Sequence, residues 1–275
     1  TWKAETNIGP APNFVIEREA DVAHTPVDLF PGILKTARMG YDGKGQATVY
    51  SAKELLAAWN EFGCVPCVLE KRMDLDFEVS ALVVRGYDDA VVAYPVSQNI
   101  HRDGILHTST VPAPSLKPAQ EKKIIEAAKA LIRKIDYVGV LCVEFFVLKS
   151  GDIVANEIAP RPHNSGHYTM DACVSSQFEQ QVRAMARLPL GDTRQLAPVS
   201  MLNLLGDLWF EGSEDQPKEP AWNKVLAHPD AKLHLYGKSE PRIGRKMGHI
   251  NCLGEALNEA RQNCAAVATE LGIEP

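Results

Sequence analysis

A chain of 275 residues with a formal net charge of −6 lacks the positive charge of a general nucleic-acid or acidic-membrane binder. Its 45% hydrophobic and 23% charged residues are ordinary for a globular protein and exclude a disordered chain. Apolar runs stay below the roughly 20 residues that a membrane-spanning helix needs. From the charge and from these short runs we expect no nucleic-acid partner and no membrane partner.

Cysteine usage and the first residue indicate the setting of the protein. The six cysteines are scattered, and the CxxC of Cys64 and Cys67 has no second pair at a zinc-site spacing. Free thiols of this kind fit a reducing, cytoplasmic location. The chain starts at Thr1 without an initiator Met or an apolar signal segment, so we expect a fragment or a processed chain.

Short strands and helices alternate through the first half of the chain. Ser51 and Glu54 have the spacing of a capping box and predict a helix over 51–62. Apolar residues recur at a helical period over 117–135 and predict a second helix. Apolar and β-branched runs predict strands over 32–36, 47–50, 66–71, 77–85 and 89–96.

A β-hairpin is predicted over 138–158, and two registers are compatible with its turn. A two-residue loop places Glu144 directly opposite Glu157. A three-residue loop with Gly151 in a bulge places Asn156 opposite Glu144 instead. The choice of register therefore decides whether two carboxylates face each other.

Two opposed carboxylates have a consequence for ligand binding. Directly opposed side chains lie roughly 5 Å apart at Cβ, and like charges there are destabilising. A cation would turn that repulsion into attraction, and Mg²⁺ commonly takes one or two carboxylates and completes its shell with waters and phosphates. An edge hairpin with solvated acids is the alternative, and the hairpin alone favours neither interpretation.

The chain changes character after Gly191, and a helix over 175–187 precedes that point. Strands joined by short turns are interspersed with helices, so the predicted fold class is α+β with prominent antiparallel pairs. The elements predicted beyond Gly191 are strands over 198–205, 232–236 and 246–252, a short helix before the second of them, and a last helix over 255–271.

A glycine-rich loop follows the first predicted strand. Gly40, Gly43 and Gly45 free the backbone to approach an anion, and exposed N–H groups in such a loop can cradle phosphate. Lys35 and Lys44 add positive charge. The segment lacks the Gly-x-x-x-x-Gly-Lys-Ser/Thr pattern of the common P-loop, and an ordinary hairpin turn explains it equally well.

A charged link between two strands offers contacts to a nucleotide. Glu70 and Lys71 end one predicted strand, Met73 follows, and Glu78 opens the next strand. The backbone at a strand edge can pair with the polar edge of a purine, and a carboxylate can accept hydrogen bonds from ribose hydroxyls. A solvated loop between the strands is the alternative, and it is favoured without further context.

The densest polar run of the chain follows Glu157 directly. Residues 161–168 hold an Arg, two His, an Asn and a Ser beside stiffening prolines. Arg161 offers a bidentate fork for a carboxylate, bicarbonate or phosphate. His163 and His167 have a spacing compatible with metal binding, whereas a solvated loop is the alternative.

A cationic cluster lies near the C-terminus of this acidic protein. Lys238, Arg242, Arg245 and Lys246 follow one another closely. Guanidinium and ammonium groups in one place suit a phosphorylated small molecule. A solvated basic patch on the surface is the alternative.

The glycine-rich loop, the charged link, the hairpin, the polar run and the cationic cluster follow one another along the chain. Taken together in that order, they closely resemble the ATP-grasp family of 5-(carboxyamino)imidazole ribonucleotide synthetases, which act in de novo purine synthesis. The similarity runs from about residue 25 to 271. The run Asn-Glu-Ile-Ala-Pro-Arg-Pro-His-Asn-Ser-Gly-His at 156–167 is highly specific, and each other piece is modest. The resemblance implies an ATP-grasp fold, in which two α+β subdomains with antiparallel sheets sandwich ATP, followed by a small α/β-rich C-terminal domain.

The resemblance also implies a domain organisation. The ATP-grasp domain would cover 25–190 and the C-terminal domain 191–275, with 1–24 a remnant of a preceding domain or a linker. Family members begin with a Rossmann-like domain of roughly a hundred residues. Because no such region precedes Thr1, we expect an N-terminally truncated chain. The family tendency predicts a homodimer.

The implied reaction joins bicarbonate to an amine at the expense of ATP. ATP phosphorylates bicarbonate to carboxyphosphate, which delivers CO₂ or its carboxyl group to the exocyclic amine of aminoimidazole ribonucleotide. ADP and phosphate leave. Two alternatives stay open: another ATP-grasp ligase that activates a different carboxylate, such as formate, and a non-catalytic ATP-binding fragment.

The same resemblance assigns roles to the matching residues. Glu144 and Glu157 would hold Mg²⁺, or Mn²⁺ in its place. ATP contacts are implied for Lys35, Gly40, Gly43, Gly45, Gln46, Glu70, Lys71, Met73, Glu78, His101 and Asn156. Catalytic or positioning roles are implied for Tyr41, Asp42, Lys44, Arg161 and His163. Contacts to the acceptor ribonucleotide are implied for Asn164, Ser165, Lys238, Arg245 and Lys246.

Overall fold

Two antiparallel sheets organise the chain in the computed structural model, which describes residues 2–38, 40, 45–210 and 217–274. The predicted loop residues Tyr41, Asp42, Gly43 and Lys44 lie outside the described residues. Every pairing between described strands is antiparallel, as the α+β prediction requires. Among the described residues, no helix combines the length and the apolar character needed to cross a membrane.

The small sheet has the strand order β1-β4-β2-β3. Its strands are β1 (Asn13–Ile16), β2 (Gly32–Thr36), β3 (Gln46–Val49) and β4 (Cys67–Lys71). The helices of this part are α1 (Trp2–Thr6), α2 (Glu19–Ala23) and α3 (Ala52–Glu61). The capping box predicted at Ser51 is present, because the Ser51 side chain accepts from the Glu54 N–H and so starts α3. Leu34, Leu55 and Leu69 are buried between α3 and the sheet.

The large sheet has nine strands, in the order β10-β9-β5-β7-β8-β11-β13-β12 with β6 paired to β5. Its strands are β5 (Leu75–Arg85), β6 (Val91–Ala93), β7 (Ser97–Arg102), β8 (Ile105–Val111), β9 (Gly139–Leu148), β10 (Ile153–Ala159), β11 (Val199–Leu205), β12 (Ala231–Leu235) and β13 (Lys246–Leu253). The helices are α4 (Pro118–Lys134), α5 (Thr169–Ala172), α6 (Gln177–Met185), α7 (Trp222–Val225) and α8 (Leu257–Glu270).

Strand β5 is covered on both faces and therefore carries a continuous apolar run. Val79 and Val83 share one core cluster with Ile124 of α4. Leu82 belongs to the cluster on the opposite face, together with the fully buried ring of Tyr168. Alternate residues of a strand point to opposite faces, so this burial orients the whole central strand. The polar residues at its start, near Glu78, are consequently held on the same face as Leu82.

The strands after Gly191 continue the large sheet, because β11 pairs with β8 as well as with β13. At the other end of the chain, β1 is an edge strand of the small sheet and Ile8 is buried in the core under α4. The domain limits 25–190 and 191–275 stay a prediction, as does the interpretation of 1–24 as a remnant or linker. In this structure both terminal parts are hydrogen-bonded into the sheets.

Gly206 illustrates how closely the segment before β13 packs. A Cβ at Gly206 would lie 2.2 Å from the Arg242 carbonyl oxygen. We expect Gly206→Ala to lower the free energy of unfolding by about 2–3 kcal/mol, because the added methyl overpacks a backbone contact. Urea unfolding monitored by fluorescence measures the loss.

The matched control is Gly151→Ala at the hairpin turn. Gly151 has a φ of 86° and open space around its Cα. At Gly151 the left-handed backbone conformation is the cost of an alanine, and it should lower the free energy of unfolding by about 1 kcal/mol. Equal losses in the two variants would contradict the steric argument at Gly206.

Candidate active site

The hairpin of β9 and β10 places Glu144 opposite Glu157. Near the turn, Ile153 pairs with Val147, which is the register of the longer loop. A bulge at Asn156 then shifts the register by one residue. Of the two registers left open by the sequence, the longer loop is present at the turn, and the bulge then gives the Glu144–Glu157 pairing that the sequence had linked to the shorter loop.

The surroundings of Glu144 make its charge unfavourable. Its side chain is 16% exposed, and Glu157 lies across the strand pair. Burial, together with the charges of Glu157 and Glu78, raises the pKa of Glu144 to about 7, although His101 opposes this effect. An acid with this pKa is only half ionised near neutral pH. A cation bound between the carboxylates would restore the full charge.

The carboxylate pair fits Mg²⁺ by its donor chemistry. Two facing carboxylates, one of them with a raised pKa, are the hard oxygen ligands that this ion takes when phosphates supply the rest of its shell. Among the described residues, no group of three or more His, Cys, Asp or Glu side chains converges as a metal site. The metal role considered for His163 and His167 therefore finds no further ligand within the described chain.

Lys35 joins the two sheets beside this pair. Its ammonium donates to Glu70 Oε2 at 2.6 Å and to Asn156 Oδ1 at 3.4 Å. Glu70 lies on β4, whereas Asn156 is the bulged residue of β10. The bulge thus frees an amide oxygen that reaches the small sheet. Three residues predicted to contact ATP meet at this point between the sheets.

Glu78 and His101 form the next pair along the same face. The distance between His101 Nδ1 and Glu78 Oε2 is 2.7 Å. Burial opposes the charge of His101, but the hydrogen bond and charge of Glu78, with Glu144 beyond, raise the pKa of His101 above its usual value. Glu78 and His101 are far apart in the sequence, and the pairing of β5 with β7 brings them into contact.

Of the remaining residues predicted to bind ATP, the described ones belong to the small sheet or to the segments that flank its strands. The Gly45 carbonyl accepts from the Thr36 N–H at 2.9 Å, and Gln46 pairs with Lys35, so this end of the glycine loop is tied to β2. Gly40 is exposed. Lys71 ends β4, and Met73 lies in the link to β5.

The polar run after Glu157 forms a loop over the large sheet. His163 Nε2 lies 3.5 Å from Glu144 Oε1, and its Nδ1 faces Ser165 Oγ at 2.9 Å. Burial, and then the charge of Arg161, lowers the pKa of His163 to about 3, so its ring is neutral. Arg161 itself is exposed. Asn164 is buried, and neither polar atom of its side chain has a hydrogen-bond partner among the described residues.

His167 connects this loop to the C-terminal strands. Its ring lies 4.7 Å from the ring of His249, which stacks on His234 at 4.6 Å. Asn251 Nδ2 donates to the His167 carbonyl at 3.1 Å. The structure therefore brings together the two segments that the sequence assigned to the acceptor. Tyr236 O–H lies 3.0 Å from His249 Nδ1 and completes the group.

Sequence reasoning missed His234, Asn251 and Asp171 in this group. Asp171 Oδ2 lies 2.8 Å from His234 Nε2 and accepts from Asn251 Nδ2 at 2.6 Å. His234 and Asn251 alternate with apolar residues in β12 and β13. This alternation was the available sequence signal, and the structure buries Asn251 while His234 stays partly exposed.

The predicted phosphate-binding residues divide between two positions. Lys246 acts on the carboxylate site, because its charge lowers the pKa values of Glu144 and His163. Lys238 donates to the Lys246 carbonyl and lines a cleft of about 370 Å³. Arg245 donates to the Glu240 carbonyl at 2.6 Å. A shared role in binding phosphate stays a prediction.

The chain belongs to the ATP-grasp family, whose domain model matches residues 5–178. A second model, the phosphoribosylaminoimidazole carboxylase C-terminal domain, matches residues 199–263. Within the family, the chain is similar to the N5-carboxyaminoimidazole ribonucleotide synthase of Brucella melitensis, with 48% identity over 223 residues, 80% of this chain and 58% of that protein.

Solved structures show the same fold. The N5-carboxyaminoimidazole synthetase of Staphylococcus aureus complexed with ADP has 35% identity and a TM-score of 0.83 over 97% of this chain and 69% of that one. The Aspergillus clavatus enzyme in complex with ADP and 5-aminoimidazole ribonucleotide has 28% identity and a TM-score of 0.85 over 98% and 70%. The chain spans about three fifths of the length of the curated relatives it matches.

The raised pKa of Glu144 predicts a pH-dependent stability in metal-free protein. The ordinary value is 4.5 and the folded value about 7. The folded state binds more protons between these values, so the free energy of unfolding falls as the pH rises through this window. We expect Glu144→Gln to exceed the wild type by roughly 2–3 kcal/mol at pH 8 and by little at pH 4. Urea unfolding at both pH values measures this difference.

Glu179→Gln on the surface of α6 serves as the control, since Glu179 is a partly exposed acid in an ordinary helical ion pair. Its difference from the wild type should be small at pH 8. A Glu144→Gln gain that is the same at pH 4 and pH 8 would show that ionisation of Glu144 is not its cause.

Proposed function

We propose that this chain acts in the ATP-dependent carboxylation of 5-aminoimidazole ribonucleotide with bicarbonate. A bicarbonate oxygen attacks the γ-phosphorus of ATP, ADP leaves, and carboxyphosphate forms. The exocyclic amine then takes the carboxyl group, directly or as CO₂, loses a proton and releases phosphate. The supporting observation is that the Glu144–Glu157 pair and the His163–His167 loop share one face of the sheet, beside the basic C-terminal segment.

The nucleotide would lie between the two sheets. Lys35 would balance the charge of the phosphates, and its hydrogen bonds to Glu70 and Asn156 support this role because they hold it between the sheets. Glu78 would contact the ribose and His101 the nucleotide, and their direct contact with each other supports a shared site. The two glutamates would hold Mg²⁺, which supplies charge neutralisation and orientation of the transferring phosphoryl group. The relatives solved with ADP support nucleotide binding at this type of fold.

The acceptor would lie between the 161–167 loop and the C-terminal strands. Arg161 is exposed, donates one hydrogen bond to the Pro162 carbonyl at 3.2 Å, and would orient bicarbonate by its guanidinium fork. His163 is a neutral ring held against Glu144, and Lys246 adds a positive charge nearby. The predicted lid over 40–46 would exclude water that hydrolyses carboxyphosphate.

We propose that the protein is a cytoplasmic homodimer. All six cysteines are free, which fits a reducing compartment. Helix α6 exposes an apolar stripe of Phe178, Val182 and Met185, with Val182 63% and Met185 69% exposed. Such a stripe marks an interaction site, and one helix can cover the same helix of a second copy about a two-fold axis.

Glu157→Gln tests the carboxylate pair. We expect this variant to stay folded and to lose at least roughly 100-fold in ADP formation, because Mg²⁺ and the phosphoryl group lose one of their two anionic ligands. Coupled-enzyme detection of ADP, with Mg²⁺, bicarbonate and 5-aminoimidazole ribonucleotide, measures it. The matched control is Asp152→Asn at the turn of the same hairpin, where activity should be retained.

The same assay separates the alternatives. Release of ADP that needs formate and ignores bicarbonate would reject the carboxylation proposal in favour of another ligase. Calorimetric binding of Mg-ATP with no phosphate release under any of these conditions would favour a non-catalytic nucleotide-binding module. Retention of most wild-type ADP formation by Glu157→Gln would contradict the assignment of the metal site.

Val182→Asp tests the dimer. A charge at the centre of the apolar stripe should convert the dimer to a monomer, because it would be buried without a partner. Sedimentation velocity measures the mass of each form. Leu226→Asp is the control, since Leu226 is 60% exposed at the end of α7 and should leave the mass unchanged. A monomeric wild type would reject the dimer, and a dimeric Val182→Asp would reject this interface.

A further inference from the structure

A buried glutamine lies beneath the acceptor loop and has no role in the function described above. Gln177 is the first residue of α6 and is fully buried. Its Oε1 accepts from the His163 N–H at 2.8 Å, and its Nε2 donates to the His163 carbonyl at 2.8 Å. The side-chain amide thus pairs with the loop backbone as a neighbouring strand would.

The same amide reaches a second histidine of the loop. Gln177 Nε2 lies 2.9 Å from His167 Nδ1. The two bonds to His163 determine which end of the amide is nitrogen, because a flipped amide would set donor against donor and acceptor against acceptor. The amide nitrogen therefore donates its second hydrogen to His167 Nδ1. A neutral imidazole that accepts at Nδ1 carries its proton on Nε2.

The packing under the loop leaves little room for another arrangement. A Cβ at Gly166 would lie 2.2 Å from Leu82 Cδ2 and 2.6 Å from Gln177 Oε1. Thr169 Oγ1 donates to the Gly166 carbonyl at 2.7 Å and accepts from the Gln177 N–H at 2.9 Å. The turn of the loop is therefore held against the start of α6 from two sides.

We propose that Gln177 is a positioning residue that holds the 163–167 loop in place and fixes His167 as the tautomer protonated on Nε2. This inference rests on the proposed function only in that the loop is assigned to the acceptor. Gln177 acts through the loop and touches no reacting atom. The partly exposed ring of His167 thereby offers an N–H donor, suited to an oxygen or ring nitrogen of a bound small molecule.

Gln177→Glu separates positioning from folding. The substituted carboxylate keeps the acceptor for the His163 N–H but loses both donated hydrogen bonds. It also places a negative charge at His167 Nδ1, where a proton then becomes favourable. The other groups facing that ring are Phe178 of α6, Tyr236 and His249 in contact with it, and the nearby His234 and Lys246. Burial and the charges of His234 and Lys246 lower the pKa of wild-type His167 to about 4.

Histidine ¹⁵N NMR on the full chain reports the tautomer without any need for turnover. In the wild type at pH 7 we expect His167 to show an unprotonated Nδ1 and a protonated Nε2. In Gln177→Glu we expect protonation of Nδ1 and a His167 pKa at least about one unit higher. ADP formation dependent on the acceptor should fall by roughly 100-fold, with Mg-ATP affinity within about twofold of the wild type.

Gln180→Glu is a matched control on the same helix. Gln180 is also fully buried and makes an equivalent pair of bonds, accepting from the Gly191 N–H at 2.9 Å and donating to the Gly191 carbonyl at 2.7 Å. We expect it to lose stability as Gln177→Glu does, while the NMR signals of His167 and the ADP-forming activity stay as in the wild type.

Three outcomes would overturn the proposal. These are a wild-type His167 protonated on Nδ1, a Gln177→Glu variant with unchanged His167 signals, and a Gln180→Glu variant with the same changes as Gln177→Glu. Failure of the proposed function is distinguishable, since a wild-type chain without turnover would leave the NMR result intact.

Discussion

A half-buried carboxylate that faces a second carboxylate across paired strands is the feature on which the proposed site depends. A sheet normally avoids like charges in directly opposed positions. Here the buried strand β9 fixes Glu144, and the bulge in the edge strand β10 places Glu157 opposite it. The repulsion is weak when Glu144 takes up a proton. A cation bound between the two carboxylates would replace the repulsion with attraction. The unfavourable pairing thus supports the proposed binding of a cation.

The bulge at Asn156 gives this pairing its geometry and has a second consequence. An extra residue in one strand bends it and leaves one residue outside the ladder. That residue turns its amide oxygen toward Lys35 of the small sheet. Just before the bulge, the Ala155 N–H donates to the Gly9 carbonyl, while the Pro12 carbonyl accepts from the Lys71 N–H. The bulge at Asn156 therefore lies at the place where hydrogen bonds connect the two sheets.

Most regular elements could be predicted from the sequence, because their cores follow simple periods, as in α4 and β5. The hairpin of β7 and β8 could not, since its inward positions are polar. Asn99 Nδ2 donates to Ser80 Oγ at 2.6 Å, and Ser109 Oγ donates to Asn99 Oδ1 at 2.8 Å, all in buried surroundings. Strand patterns assume that buried positions are apolar, and a polar layer beneath a site breaks that assumption.

The same reason explains which candidate site residues the sequence indicated. Glu144 and Asn156 lie in one recognisable hairpin and Arg161 in the polar run that follows it, so local pattern made them candidates and the family resemblance assigned their roles. His234 and Gln177 act through contacts to distant segments, and no local spacing encodes such contacts. A buried polar side chain must have a partner to offset its desolvation. A fully buried glutamine at the start of an amphipathic helix therefore indicates that its amide hydrogen-bonds another segment of the chain, even before that segment is identified.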